Sequence, residues 1–234
     1  MPRQLKRDEL HRSDVVANCR MNRERGLVGS NGYERDLGFD LAAYLRETCR
    51  RHGRAAWLDL CCGSGKALIE AAEIAAAESL PLEIIGVDLV GMFAADADRP
   101  RLRLVKSAVE DFRPPTQCDL ITSVHGLHYL GDKLGVITQA AGWLTESGRF
   151  VANLDAKSIR VDGEDSATSV IRALRQAGFR YSPRSKLLTK EGRCELQLPL
   201  VYLGADDAAG PNYTGQPAVD SYYAWNGELI GPNC

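Results

Sequence analysis

Short apolar runs alternate with stretches of helical periodicity from about residue 55 to residue 178, and that rhythm predicts the fold. Strands are predicted at 55–60, 82–88, 101–106, 118–124 and 148–154, each bounded by turn or helix signals. Helices fall between them at 65–79, which is alanine-rich, at 132–144 and at 166–177, the last closed by Gly178. Ahead of the first strand, Leu37, Leu41, Tyr44, Leu45 and Cys49 recur at helical spacing and predict an amphipathic helix from Glu34 to His52. Connections that hold a helix imply parallel pairing. The pattern then changes, because Ser185–Thr189 and Cys194–Leu203 flank the short turn Lys190-Glu191-Gly192-Arg193, which has hairpin length. The expected fold is α/β, a seven-stranded, mostly parallel sheet with a final antiparallel hairpin strand and helices on both faces.

Residues 1–33 are charged and then punctuated by Gly26, Gly29 and Gly32, which predicts an N-terminal arm or lid. Residues 34–234 are expected to form one domain, with an irregular tail from about residue 204. An antiparallel last strand places the Asp206-Asp207, Asn212 and Tyr213 cluster on the sheet edge opposite a ligand. That position suits a structural role.

Composition narrows the class but not the activity. With 44% hydrophobic and 26% charged residues among 234, the chain is an ordinary globular sequence with enough length for a sizeable core. A formal net charge of -2 and no basic stripe argue against a nucleic-acid partner. No eighteen apolar residues run together and the first residues lack an apolar segment, so neither a membrane span nor a signal peptide is expected. Seven cysteines without a CxxC pair suggest reduced, packed thiols in a cytoplasmic protein and no metal site. A homodimer is compatible with all of this.

The chemistry concentrates in Ala56-Trp57-Leu58-Asp59-Leu60-Cys61-Cys62-Gly63-Ser64-Gly65-Lys66, an apolar strand that ends in an acid and a tight glycine turn feeding a helix. Gly63 and Gly65 let backbone approach a ligand, and the helix start offers free N–H groups. A merely structural strand-to-helix turn is the plain alternative. Asp88, closing Ile84-Ile85-Gly86-Val87-Asp88, can accept hydrogen bonds from both hydroxyls of a ribose. Its spacing from the loop also fits a dinucleotide-binding unit, so the acid alone does not choose the cofactor.

Taken together, these segments resemble the class I S-adenosylmethionine-dependent methyltransferase family over roughly residues 34–203. Leu58–Gly65 matches its first motif, with Cys61 standing where the family usually has its first glycine, and Leu68 stands where nicotinamide enzymes keep a third glycine. The resemblance implies S-adenosylmethionine as cofactor, with Asp59, Cys61, Gly63, Gly65 and Asp88 around it. Ser107–Phe112 matches the adenine segment, where the family's frequent aspartate is Ala108, leaving the base to the Val109 backbone, to apolar packing by Leu89 or Met92, and to Glu110. Ser123 and His125, after the fourth strand, are placed by the resemblance near the methionine part, with His128 nearer the substrate. Both histidines are candidate general bases, with packing as the alternative role. Tyr33, also a candidate cofactor contact, and Arg35, together with Arg20 and Arg23 of the arm, are candidates to seal the cleft.

The function this implies is methylation of an oxygen, nitrogen or carbon on a small molecule, with specialised bacterial metabolism as a fitting setting. An S-adenosylmethionine-using cyclase or aminocarboxypropyl transferase, or a non-catalytic cofactor-binding protein, stays open on the same fold.

Overall fold

The computed structural model describes residues 4–17, 24–95, 97–161 and 166–226. Two short helices, α1 (Arg7–His11) and α2 (Asp14–Ala17), precede α3 (Tyr33–Leu37) and α4 (Leu41–His52). The single helix predicted over 34–52 is therefore broken. Gly38 adopts a left-handed conformation that ends α3, and Asp40 restarts the chain as N-cap of α4 by accepting from the Ala43 N–H at 2.7 Å.

The alternating region then follows the predicted order: β1 (Ala55–Leu60), α5 (Lys66–Ala77), β2 (Leu82–Asp88), β3 (Leu102–Lys106), β4 (Cys118–Ser123), α6 (Lys133–Gly142) and β5 (Leu144–Asn153). A short β6 (Ile159–Val161) and α7 (Ser166–Gln176) lead to β7 (Arg180–Ser182) and β8 (Leu187–Glu191). The main sheet has seven strands in the order β3-β2-β1-β4-β5-β8-β7, parallel except for β8, which runs antiparallel to both neighbours. Apolar residues on its two faces form separate cores, one under α6 and α7 around Phe150 and Leu174, the other under α3 to α5 around Trp57 and Leu68.

The terminal hairpin is shifted relative to the prediction. Its strands are β7 and β8, while the segment after Cys194 leaves the main sheet. There β9 (Leu200–Asp206) and β10 (Asp220–Trp225) join β6 in a second sheet of order β6-β10-β9, where an irregular tail was expected. Because β6 follows the C-terminal end of β5 and β10 pairs parallel with it through Ser221 and Ile159, the tail comes back to the edge where ligands of such sheets bind.

Lys133 and Tyr223 fasten this second sheet to the first. The Lys133 ammonium is fully buried and donates to Leu130 O at 3.0 Å, Val219 O at 2.6 Å and Ser221 Oγ at 2.8 Å. The Tyr223 hydroxyl accepts from Leu134 N and donates to Asp132 Oδ1, both at 3.0 Å. The arm is fastened too, since Leu5 pairs with Ala205 and, with Leu10, packs on Ala205 and Val219. Cys49, Cys61, Cys62 and Cys118 are free thiols, but Cys194 is disulfide-bonded, which departs from the all-reduced expectation and which no CxxC spacing signals.

Candidate active site

The loop after β1 turns through three consecutive odd positions in left-handed conformation: Cys61 (φ 63°), Gly63 (φ 60°) and Gly65 (φ 78°). At Gly65 a side chain is barred twice, by the backbone and by Leu104 Cδ1, which a Cβ would meet at 2.7 Å. Cys61 bears a side chain in the same conformation at a cost of roughly 1 kcal/mol. The room for it comes from Gly126 across the cleft, where a Cβ would lie 2.5 Å from Cys61 Cβ and 2.7 Å from Ser123 Oγ. Cysteine at 61 and glycine at 126 thus form a complementary pair.

This yields a prediction that separates tolerance from crowding. Gly126→Ala should cost about 1–3 kcal/mol by overpacking, measured by urea unfolding. Part of that loss should return when Cys61→Gly is added, because one of the clashes disappears. Cys61→Gly alone should change stability by less than about 1 kcal/mol, as relief of left-handed strain offsets lost packing and a freer unfolded chain.

Asp88 ends β2 beside this loop, with Oδ2 accepting from Gly63 N at 3.1 Å and Oδ1 from Val90 N at 3.0 Å and Gly91 N at 3.1 Å. One carboxylate thereby ties the loop after β1 to the loop after β2. Asp59 is different. Fully buried, it accepts from the Tyr33 hydroxyl at 2.8 Å and from Thr122 Oγ1, which in turn accepts from Trp57 Nε1 at 2.8 Å. Burial lifts the Asp59 carboxyl to about 7 against the pull of both hydroxyls. Ser123 is likewise turned away from solvent, its hydroxyl donating to Leu60 O at 3.0 Å.

A cleft opens at the C-terminal ends of β1, β2 and β4. Cys61, Gly63 and Asp88 form one side, Leu89, Ala108, Val109 and Glu110 the next, and His125 with Gly126 and Tyr129 the far side. His11 and Val16 of the arm complete the wall. Glu110 lines the cleft with Ala108, and its Oε2 is buried without a hydrogen-bond partner. Met92 is 60% exposed and lies outside the lining. Burial holds the Cys61 thiol protonated, reinforced by Asp88.

His125 sits in left-handed conformation after β4, its N–H donating to Asn153 Oδ1 at 3.2 Å. Its Nε2 lies 3.4 Å from Asp36 Oδ2, and Asp36 also pairs with Arg25. Burial opposes ionisation of Asp36, yet the hydrogen bond with His125 and the Arg25 charge prevail and hold its carboxyl below the usual range. His125 Nδ1 is 3.4 Å from both His128 Nε2 and the Tyr213 hydroxyl. A tautomer with the proton on Nε2, facing Asp36, leaves Nδ1 as acceptor for both.

His128 stands behind this group. It is 1% exposed, does not line the cleft, and has an unpartnered Nδ1; burial, with help from His125 and Lys133, pulls its pKa down to about 3. The Tyr33 side chain is buried against Asp59 and does not line the cleft either, while Arg35 donates to Ser30 O. Arg20 and Arg23 lie outside the described residues.

Two residues of this arrangement escape the sequence pattern. Asp36 looks like an ordinary polar position of a helix, and an antiparallel last strand points Tyr213 to the far edge of the sheet. The tail's return through β9 and β10 corrects that, for it sets the Tyr213 ring edge-on to His128 at 5.3 Å. The parallel pairing of β10 with β6 brings the tail to this edge, and a three-residue strand leaves little trace in sequence.

A sheet of this strand order, with a glycine loop after its first strand and an acid ending its second, defines a class I, Rossmann-like methyltransferase fold. Residues 33–215 match the sequence profile of a methyltransferase domain, and the chain belongs to that family. No curated protein matches it. Among solved structures, it is similar to the plantazolicin methyltransferase BpumL in complex with S-adenosylhomocysteine, at 13% identity over 50% of this chain and 46% of that one, with a TM-score of 0.41. CalS10, an amino pentose methyltransferase from Micromonospora echinaspora, is 20% identical over 53% of this chain and 51% of its own, with a TM-score of 0.40. The CMeT domain of the citrinin polyketide synthase is 14% identical over 66% of this chain and 52% of that one, with a TM-score of 0.49. The chain spans about half the length of these structures.

Proposed function

We propose that this chain is an S-adenosylmethionine-dependent methyltransferase acting on a small molecule, with His125 as the group that receives the acceptor's proton. One observation carries the reading: a single cleft has the glycine loop and Asp88 on one wall and the Asp36-supported His125 on the other. The residues present suit the cofactor. Gly63 and Gly65 supply close backbone, Asp88 would hold the ribose, Leu89 and Val109 offer apolar cover for the adenine, and the unpartnered Glu110 Oε2 suits its amino group. When bound, the cofactor supplies an activated methyl group.

The protein's own part is then to align the acceptor and take its proton. Nδ1 of His125, freed when an acceptor displaces the Tyr213 hydroxyl and the His128 contact, would take that proton, with Asp36 fixing the tautomer through Nε2. His128 suits a supporting role, because a pKa near 3 makes it a weak acceptor of protons at neutral pH. A cleft roofed by His11 and Val16 favours an acceptor small enough to be enclosed.

The test is product analysis with candidate acceptors. S-adenosylhomocysteine as product supports methyl transfer, whereas methylthioadenosine alone would sink the proposal in favour of transfer from the other carbon chain. His125→Ala should lower kcat about 10²- to 10⁴-fold while leaving S-adenosylhomocysteine affinity within a few-fold. His128→Gln should lower it far less and leave the pH dependence of kcat in place.

A further inference from the structure

A second cavity is built from the turn after β5, the β7–β8 turn and the loop that carries Tyr213, which lines it. It is polar, and its unspent groups are donors. Arg160 and Asp220 satisfy each other at 2.7 Å, and Asp155 Oδ1 accepts from Lys157 N at 3.2 Å. Lys157 and Lys186 also line the cavity, and neither makes an ion pair among the described residues. Set against the one carboxylate left without an ion-pair partner, Asp155, these two ammonium groups leave the cavity cationic.

Asn212 adds a third donor. Its Oδ1 is committed to Thr214, accepting from the backbone N–H at 2.7 Å and the hydroxyl at 2.6 Å, so the amide has one orientation. Nδ2 is left buried without an acceptor. Such a group costs stability unless something meets it.

Lys186 is held there under strain. Its backbone is left-handed (φ 56°), a conformation glycine would adopt freely, and its carbonyl is fixed by Leu154 N at 2.8 Å. The side chain extends over the Tyr213 ring, with Nζ 5.9 Å from the ring centre. The hydroxyl of the same tyrosine lies 3.4 Å from His125 Nδ1. One phenol ring therefore both lines the cavity and reaches the proton-accepting nitrogen.

We infer that this cavity anchors the methyl acceptor by an oxyanion, a carboxylate or a phosphate, held by Lys186, Lys157 and the Asn212 amide so that its nucleophile lies at the Tyr213–His125 edge. The inference rests on the methyltransferase reading of the neighbouring cleft and adds the chemical class of the acceptor. Ammonium pairs and amide donors recognise oxyanions in preference to neutral groups of the same shape.

The experiment uses full-length protein saturated with S-adenosylhomocysteine and three probes sharing one ring: benzoate, phenyl phosphate and neutral benzamide. Binding is followed through the Asn212 side-chain amide resonance. At least one anion should shift that resonance with an affinity about tenfold or more above benzamide, and the tighter of the two identifies carboxylate or phosphate. The double variant Lys157→Met, Lys186→Met should lose at least tenfold in anion affinity and keep S-adenosylhomocysteine affinity within twofold, which also reports that it is folded. Equal binding of benzamide, undiminished anion binding by the variant, or no shift with either anion in the millimolar range would each overturn the inference. If wild-type protein fails to bind S-adenosylhomocysteine, it is the cofactor reading that falls, a result the anion titrations do not mimic.

Discussion

Replacing Asp88 with alanine is expected to lower the affinity for S-adenosylhomocysteine by at least about a hundredfold in a calorimetric titration, since each hydrogen bond to a charged group contributes roughly 1.5–3 kcal/mol. The loss has two sources. A ribose loses the carboxylate that would meet its hydroxyls, and the protein loses the brace that accepts from Gly63, Val90 and Gly91. Asp88→Asn separates them, because one oxygen becomes a donor facing donors and the brace is half kept. Its affinity should fall between wild type and Asp88→Ala. Unchanged affinity in both variants would remove Asp88 from the cofactor site.

The second large effect is on stability. Lys133→Ala should cost about 3–5 kcal/mol in urea unfolding, the sum of a cavity and of acceptors on Leu130, Val219 and Ser221 left without their donor. Lys133→Met keeps the apolar stem and should cost about 1–3 kcal/mol, the hydrogen-bonding part alone. A pH signature distinguishes the lysine from generic packing. Burial brings its pKa from 10.5 down to about 7 in the folded protein, against the attraction of Asp220, Asp155 and Asp132. Between those values the unfolded chain holds more protons, so this group's contribution grows as pH rises from 7 to 10.5 and is lost as pH falls through 7. The stability gap between wild type and Lys133→Met should widen over that interval. A constant gap would mean that Lys133 does not titrate there.

Sequence and structure agree where information is local. The apolar runs at 55–60, 82–88 and 118–124 become β1, β2 and β4 within a residue, and the helices between them follow, because buried parallel strands write themselves as continuous apolar stretches. Cys61 is equally visible, as a departure from glycine inside a motif. Agreement fails where three-residue elements decide the path. Arg180–Ser182 is too short to announce a strand, so the apolar pattern points the hairpin towards Cys194–Leu203. Ile159–Val161 is no longer, yet its pairing with β10 carries Tyr213 to His125. Asp36 was hidden for a related reason: Gly38 and Asp40 break the expected long helix, and its meeting with His125 is a contact across the fold that periodicity does not encode.

The bridge between Leu5 and Ala205 has a consequence for the order in which the molecule is made. On a ribosome the residues of the main sheet, complete by Glu191, emerge before the partner that the arm needs, and the loop this contact closes spans nearly the whole described chain. A nascent chain halted near residue 195 would therefore possess the glycine loop, Asp88 and His125 without the roof of His11 and Val16, and without Lys133's ties to the second sheet. Newly synthesised protein would meet its cofactor through an open door and acquire its enclosure last.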